Sequence, residues 1–172
     1  MVSPLRRRGC VGLKEIGTEH EYFPDIFLCA CLGTPGIFYA IVAVEDPLWL
    51  RIVIAIENAI VGLVSVIADG CLYTMSPDDS NRNGLLDVDR ITSGIHIFVL
   101  LAVVIYRLLA NLMSALQFIV ALLIGLLSII FFHRRLYFSF VEQDWRNARD
   151  HARLWHIGGV ATSFVALAPK FG

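Results

Sequence analysis

Charged side chains are scarce in this chain: 17% of its 172 residues are Asp, Glu, Lys or Arg, against 57% hydrophobic. Ordinary soluble domains carry about a quarter charged residues and about half apolar ones, so this composition excludes a soluble enzyme or regulator. Paired cysteines are lacking too. Cys10, Cys29, Cys31 and Cys71 contain no C-x-x-C spacing, and Cys29 and Cys31, two apart, point to different faces of a helix. Four free thiols are expected, with neither a disulfide scaffold nor a thiolate zinc site. The net charge is −1 and basic residues are not interleaved with aromatic ones, which leaves no surface for nucleic acid. Residues 1–25 hold Arg6, Arg7, Arg8 and Lys14 but no apolar core, so they lack the form of a secretory signal and read as a cytosolic tail.

What the chain has is hydrophobic runs, with a mean hydropathy of +0.70. The first, Ile26 to Val44, should kink at Thr34-Pro35-Gly36. A second runs from Leu48 to about Tyr73, a third from Ile91 to about Tyr106, a fourth from Leu112 to Phe132 and a fifth from Leu154 to Ala168. A span needs about 20 apolar residues, so residues 26–172 are expected to form one all-α domain, a polytopic transmembrane helix bundle of about five spans. Lys and Arg accumulate in cytoplasmic segments. With the N-terminus inside, eleven basic residues fall on the inner side and only Arg51, Arg107 and Lys170 outside, which fixes that orientation. The connector Leu136 to Arg153, rich in both aromatics and arginine, suits an interfacial helix.

Polar residues in these runs fall into stripes. Residues three, four, seven or eleven apart share a helix face, which groups Asn58, Gly62, Ser65 and Asp69 on the second run. The same rule groups Asp89, Ser93 and His96 on the third, and His156, Gly159 and Ser163 on the fifth. The orientation above brings all three stripes to the cytoplasmic end, where carboxylates and imidazoles together can bind a divalent metal. Glu57 lies deeper and needs a partner such as His96, or an uncharged state.

The arrangement resembles the membrane hydrolases that include alkaline ceramidases, adiponectin-type receptors and hemolysin-III-like proteins. Their Ser-x3-His, Asp and His-x3-His elements correspond to Ser65-Val66-Ile67-Ala68-Asp69, to Asp87-Val88-Asp89-Arg90 and to Leu154-Trp155-His156. Asp69 stands in place of the first histidine of that pattern. Ala152 occupies the position four before His156, and His151 is the nearby substitute. Members usually have seven spans. The resemblance implies metal-dependent hydrolysis of a lipid amide or ester, with zinc held by Asp69, His156 and His151. In that scheme Ser65 steadies developing charge and Asp89 orients or accepts a proton from water.

A second pattern competes. Asp79 to Asp87 matches most of a calcium-binding EF-hand loop, with oxygen ligands at positions one, three, five and nine and Gly84 at six. Position twelve is Arg90 instead of Glu, so calcium is the weaker expectation. The alternative to a hydrolase is thus a non-enzymatic membrane protein, either a calcium-responsive module or a subunit whose small and polar stripes pack on helices of a second copy or another membrane protein. Membrane lipids are the expected surroundings in every case.

Overall fold

The computed structural model describes residues 19–74, 80–142 and 144–171. They form a helical bundle without strands. The first expected span is two helices, α1 (Glu19–Cys31) and α2 (Thr34–Val42). Then come α3 (Leu48–Thr74), α4 (Ser80–Leu109) and α5 (Ala115–Tyr137), a π-helical turn at Phe138–Glu142, and α6 (Trp145–Leu167). Four segments are long and apolar enough to cross a membrane: Asp25–Val42, Leu48–Asp69, Gly84–Leu109 and Ala115–Tyr137. Leucines, isoleucines and phenylalanines cover the outside, Phe98 at 74% and Leu109 at 82% exposure among them. A bundle clad in this way is built for lipid rather than water.

The break between α1 and α2 has a local cause. Pro35 has no N–H to offer the Cys31 carbonyl, and the Thr34 hydroxyl donates to that carbonyl instead at 2.7 Å. Glycine then lets the broken stretch lie directly on α3. A Cβ at Gly62 would stand 2.9 Å from the Gly33 nitrogen, and one at Gly36 would stand 2.6 Å from Asn58 Cβ and 2.8 Å from the Ile54 carbonyl oxygen. Two antiparallel segments locked at Gly33/Gly62 and Gly36/Asn58 leave Cys29 opposite Asp69.

Helix α6 lies antiparallel along the whole of α5. Phe132 packs on Trp155 with ring centroids 5.0 Å apart, Ser128 touches Gly158, and Gly125 faces Thr162. At the far end Gln117 Nε2 donates to the carbonyls of Val165 and Ala168 at 2.8 and 3.0 Å. The fifth expected run is the apolar C-terminal part of α6 and reaches the same end of the bundle as the start of α5, but α6 is not among the four segments long and apolar enough to cross a membrane. The connector departs from expectation. Residues 136–153 do not make a separate interfacial helix: Leu136 and Tyr137 finish α5, the π turn follows, and Trp145 to Arg153 is the beginning of α6 itself.

The calcium pattern also departs from expectation. Asp79 lies outside the described residues, and Ser80 to Asp87 is the opening of α4. Helical backbone sends successive side chains around an axis rather than into one loop, so an EF-hand does not form there. Arg90, at the loop's twelfth position, pairs with Asp87 at 3.0 Å.

Between α4 and α5 the chain turns at Asn111, whose φ of 57° is left-handed. Leu112 N–H reaches the Arg107 carbonyl at 2.7 Å and Asn111 N–H the Leu108 carbonyl at 3.1 Å, the paired bonds of a Schellman cap. Ser114 then caps α5 by accepting from Gln117 N–H. Beside this turn, Arg107 is 2% exposed and Asp46 3%. Arg107 donates to the carbonyls of Ala166 and Leu112 at 2.5 and 3.2 Å, and its Nε lies 3.0 Å from Asp46 Oδ2. Tyr39 donates to the same carboxylate, and its ring faces the guanidinium at 5.6 Å. One arginine thus ties α4, α6 and the α2–α3 turn together.

Replacing one member of a buried ion pair strands the other. Arg107→Met should therefore lower stability by about 3–5 kcal/mol, and the double variant Arg107→Met/Asp46→Leu by less, in equilibrium unfolding from mixed micelles. In the same assay Gly36→Ala should cost about 1–3 kcal/mol by overpacking, whereas Gly94→Ala, where a Cβ meets nothing within 4 Å, should cost nothing.

Candidate metal centre

Helix α3 carries the site. Of its expected stripe, Asn58 and Ser65 are 1% and 4% exposed, and Gly62 is covered by Gly33. Asn58, Gly62 and Ser65 are thus covered by the chain's own helices. Across from it, α4 sets Asp89 beside Ser65, and Ser65 Oγ donates to Asp89 Oδ1 at 2.6 Å. One helical turn further along α3 stands Asp69.

Asp69 meets a residue that sequence reasoning did not assign to the site. Cys29, fully buried on α1, donates its thiol hydrogen to Asp69 Oδ2 at 3.0 Å, and His156 Nδ1 of α6 lies 3.8 Å from the same sulfur. The ligand atoms of Cys29, Asp69 and His156 all lie within 4.8 Å of one another. Among the described residues this is the one group of three or more such side chains close enough to share a metal ion. Asp69 also stands within charge-interaction range of Arg135, Asp89 and Asp25.

His151 is placed elsewhere. Its Nδ1 is 2.8 Å from the Asn147 carbonyl oxygen, and its ring packs between Phe131 and Phe138 at 6.1 and 5.0 Å. Five residues before His156 on a regular helix, it points about 140° away from it. The structure thus brings Asp69 and His156 together, places Ser65 and Asp89 one turn away, and supplies Cys29 where His151 was expected. No spacing in the sequence marks Cys29. Only the register of α1 on α3, set by the glycine contacts, brings it to Asp69.

The donor set fits a divalent cation. Thiolate sulfur, imidazole nitrogen and carboxylate oxygen are all zinc ligands, and three protein ligands leave a fourth tetrahedral position open. Charge points the same way. A buried thiolate beside a carboxylate places two anions in contact in a low dielectric, which a dication would neutralise. The Cys29 hydrogen that now bridges to Asp69 is the one that metal binding would displace.

No protein-family model, curated protein or solved structure matches the chain.

Cobalt added to the purified protein should produce thiolate-to-metal charge-transfer absorption. Cys29→Ser should abolish that band and His156→Ala should weaken or abolish it, while His151→Ala should leave it as in the parent.

Proposed function

We propose that this multi-pass membrane protein is a metal-dependent hydrolase of a lipid amide or ester, a divergent relative of the ceramidase and adiponectin-receptor hydrolases. Zinc would be held by Cys29, Asp69 and His156. The observation that carries the reading is the meeting of these three ligand types, from three separate helices, within 4.8 Å. In this reading Cys29 completes the set that Asp69 and His156 leave one short. Bound there, zinc would supply Lewis acidity, making a water more acidic and polarising a carbonyl.

The remaining work belongs to the chain's own side chains. Ser65 donates to one oxygen of Asp89, which holds that carboxylate as an acceptor. Asp89 has a second oxygen with which to take a proton from an attacking water and later return it to the leaving amine or alkoxide. Asp89 faces α3 from α4, next to the turn of α3 that bears Asp69, so its proton transfer would occur beside the polarised carbonyl. A substrate dissolved in the bilayer could approach sideways between helices, its acyl chain remaining among the apolar side chains that clothe the bundle.

Metal analysis together with turnover tests this reading. The purified protein should carry about one zinc per chain, lost in the His156→Ala/Asp69→Ala double variant, and should hydrolyse a ceramide or a lipid ester in mixed micelles. Asp89→Asn should keep the zinc and lose about a hundredfold or more in kcat. A correctly folded protein that takes up no zinc, or one whose zinc-loaded form cleaves neither bond type, would refute it.

A further inference from the structure

Twelve residues before Asp69 on α3, another ionisable group is held inside the bundle without any part in the metal centre. Glu57 lies about 14 Å along the helix from Leu48 and about 18 Å from Asp69, near the middle of the span. His96 of α4 faces it, with Nδ1 2.9 and 3.1 Å from the two carboxylate oxygens. Asn58 donates through Nδ2 to Glu57 Oε2 at 2.9 Å and to the Ile54 carbonyl at 3.0 Å. The expectation that Glu57 requires a partner such as His96 is met.

We propose that Glu57, His96 and Asn58 form a proton-binding site in the middle of the bilayer, through which the protein carries protons across the membrane. Three observations support it. First, carboxylate and imidazole share hydrogen bonds at a depth where an uncompensated charge is costly, and such residues mark proton relays. With one shared proton the pair is neutral. A second proton makes it +1, on protonated Glu57 and His96 together, and loss of either restores neutrality. Only O–H and N–H bonds form and break.

Second, Asn58 is 1% exposed, yet its Oδ1 has no hydrogen-bond partner among the described residues. A buried orphan acceptor calls for an explanation, and an acceptor beside a proton site suits an arriving water or hydronium. Third, the bundle does not enclose the pair completely: the side chains of His96 and Glu57 retain 12% and 18% exposure.

The other titratable groups on packed elements are engaged elsewhere. On α3, Arg51 donates to the Ala40 carbonyl and Asp69 contacts Cys29. On α4, Asp89 accepts from Ser65 and Arg107 pairs with Asp46, while on α2 Tyr39 bonds the same Asp46. Also on α4, Asp87 pairs with Arg90; helix α1 contributes Asp25, paired with Arg153, and Cys29 and Cys31, neither bonded to the pair. Among the described residues no other ionisable side chain is hydrogen-bonded to Glu57 or His96.

The full chain reconstituted in phosphatidylcholine vesicles, with an entrapped pH dye and a potassium gradient, provides the test. On adding valinomycin, internal pH should change several times faster than in protein-free vesicles. Glu57→Gln and His96→Gln each keep a hydrogen-bonding group at the contact, and each should return the rate to the protein-free value; Gly94→Ala should match the parent. Variants are compared only where detergent melting temperatures agree with the parent's, and His96→Gln serves alone should Glu57→Gln fail to fold. A parent rate equal to that of empty vesicles would overturn the proposal. So would an unchanged rate in a folded Glu57→Gln or His96→Gln protein, which would leave the pair as an interhelical clasp. Loss of zinc or of hydrolysis has no bearing on either outcome.

Discussion

Backbone contact between the broken first span and α3 determines where everything else falls. Gly62 rests on the Gly33 backbone, and Gly36 on Asn58 and the Ile54 carbonyl, so close that a side chain at Gly62 or Gly36 would displace a helix. Small residues allow this approach in lipid, where dispersion and hydrogen bonding, rather than expulsion of water, hold helices together. The break is part of the same device. Without Pro35 and the substitute bond from Thr34, α1 and α2 would be one rod touching α3 at one crossing. Broken, they follow α3 over its length, and Cys29 comes to rest against Asp69.

Helix α3 then works as a polar rail in an apolar bundle. Glu57, bonded by Asn58, meets His96 near the middle, Ser65 meets Asp89 a little over two turns on, and Asp69 meets Cys29 and His156 one turn beyond. The α4 partners run in the opposite sense, as an antiparallel neighbour requires. Each rung pairs polar groups that would otherwise be stranded in hydrocarbon; the first two fix the register of α3 against α4, and the third ties α3 to α1 and α6. They differ in what they offer chemically. The middle rung is a carboxylate with an imidazole, balanced by one proton. The end rung is a carboxylate with a thiol and an imidazole, the thiol hydrogen lying on the carboxylate and Arg135 within charge-interaction range.

How much of this could be read in advance varies from residue to residue. The apolar runs were legible because a membrane helix must satisfy its own backbone, which leaves hydropathy in plain view. The stripe Asn58, Gly62, Ser65, Asp69 followed from helical period alone, and the need of Glu57 for a partner from the cost of burying charge. Cys29 was invisible, since its role depends on a contact forty residues away in the chain that no local spacing encodes. His151 misled because nearness in sequence to His156 is not nearness on a helix. The Asp, Asn and Gly of residues 79–87 imitate a loop, yet the segment is helical from Ser80, with Asp87 and Arg90 paired on an exposed face. In α6, Arg149, Asp150 and Arg153 hid the continuity of one helix by making its first half look like a connector.

The meeting of thiol, carboxylate and imidazole is flanked by contacts on both sides, and this bears on what the cluster is for. Asp25 and Arg153 form an ion pair one turn before Cys29 on α1 and about one turn before His156 on α6, so the two helices are clamped next to the point where sulfur and nitrogen meet. On the other side, the Ser65–Asp89 bond clamps α4 to α3 one turn from Asp69. A site whose ligands converge only on binding must order its helices at that moment, and affinity falls accordingly. Here neighbouring contacts have already met that cost, as they do in sites whose geometry is fixed by a supporting layer of hydrogen bonds. The clamps make sense if the distances among Cys29, Asp69 and His156 are the quantity being protected.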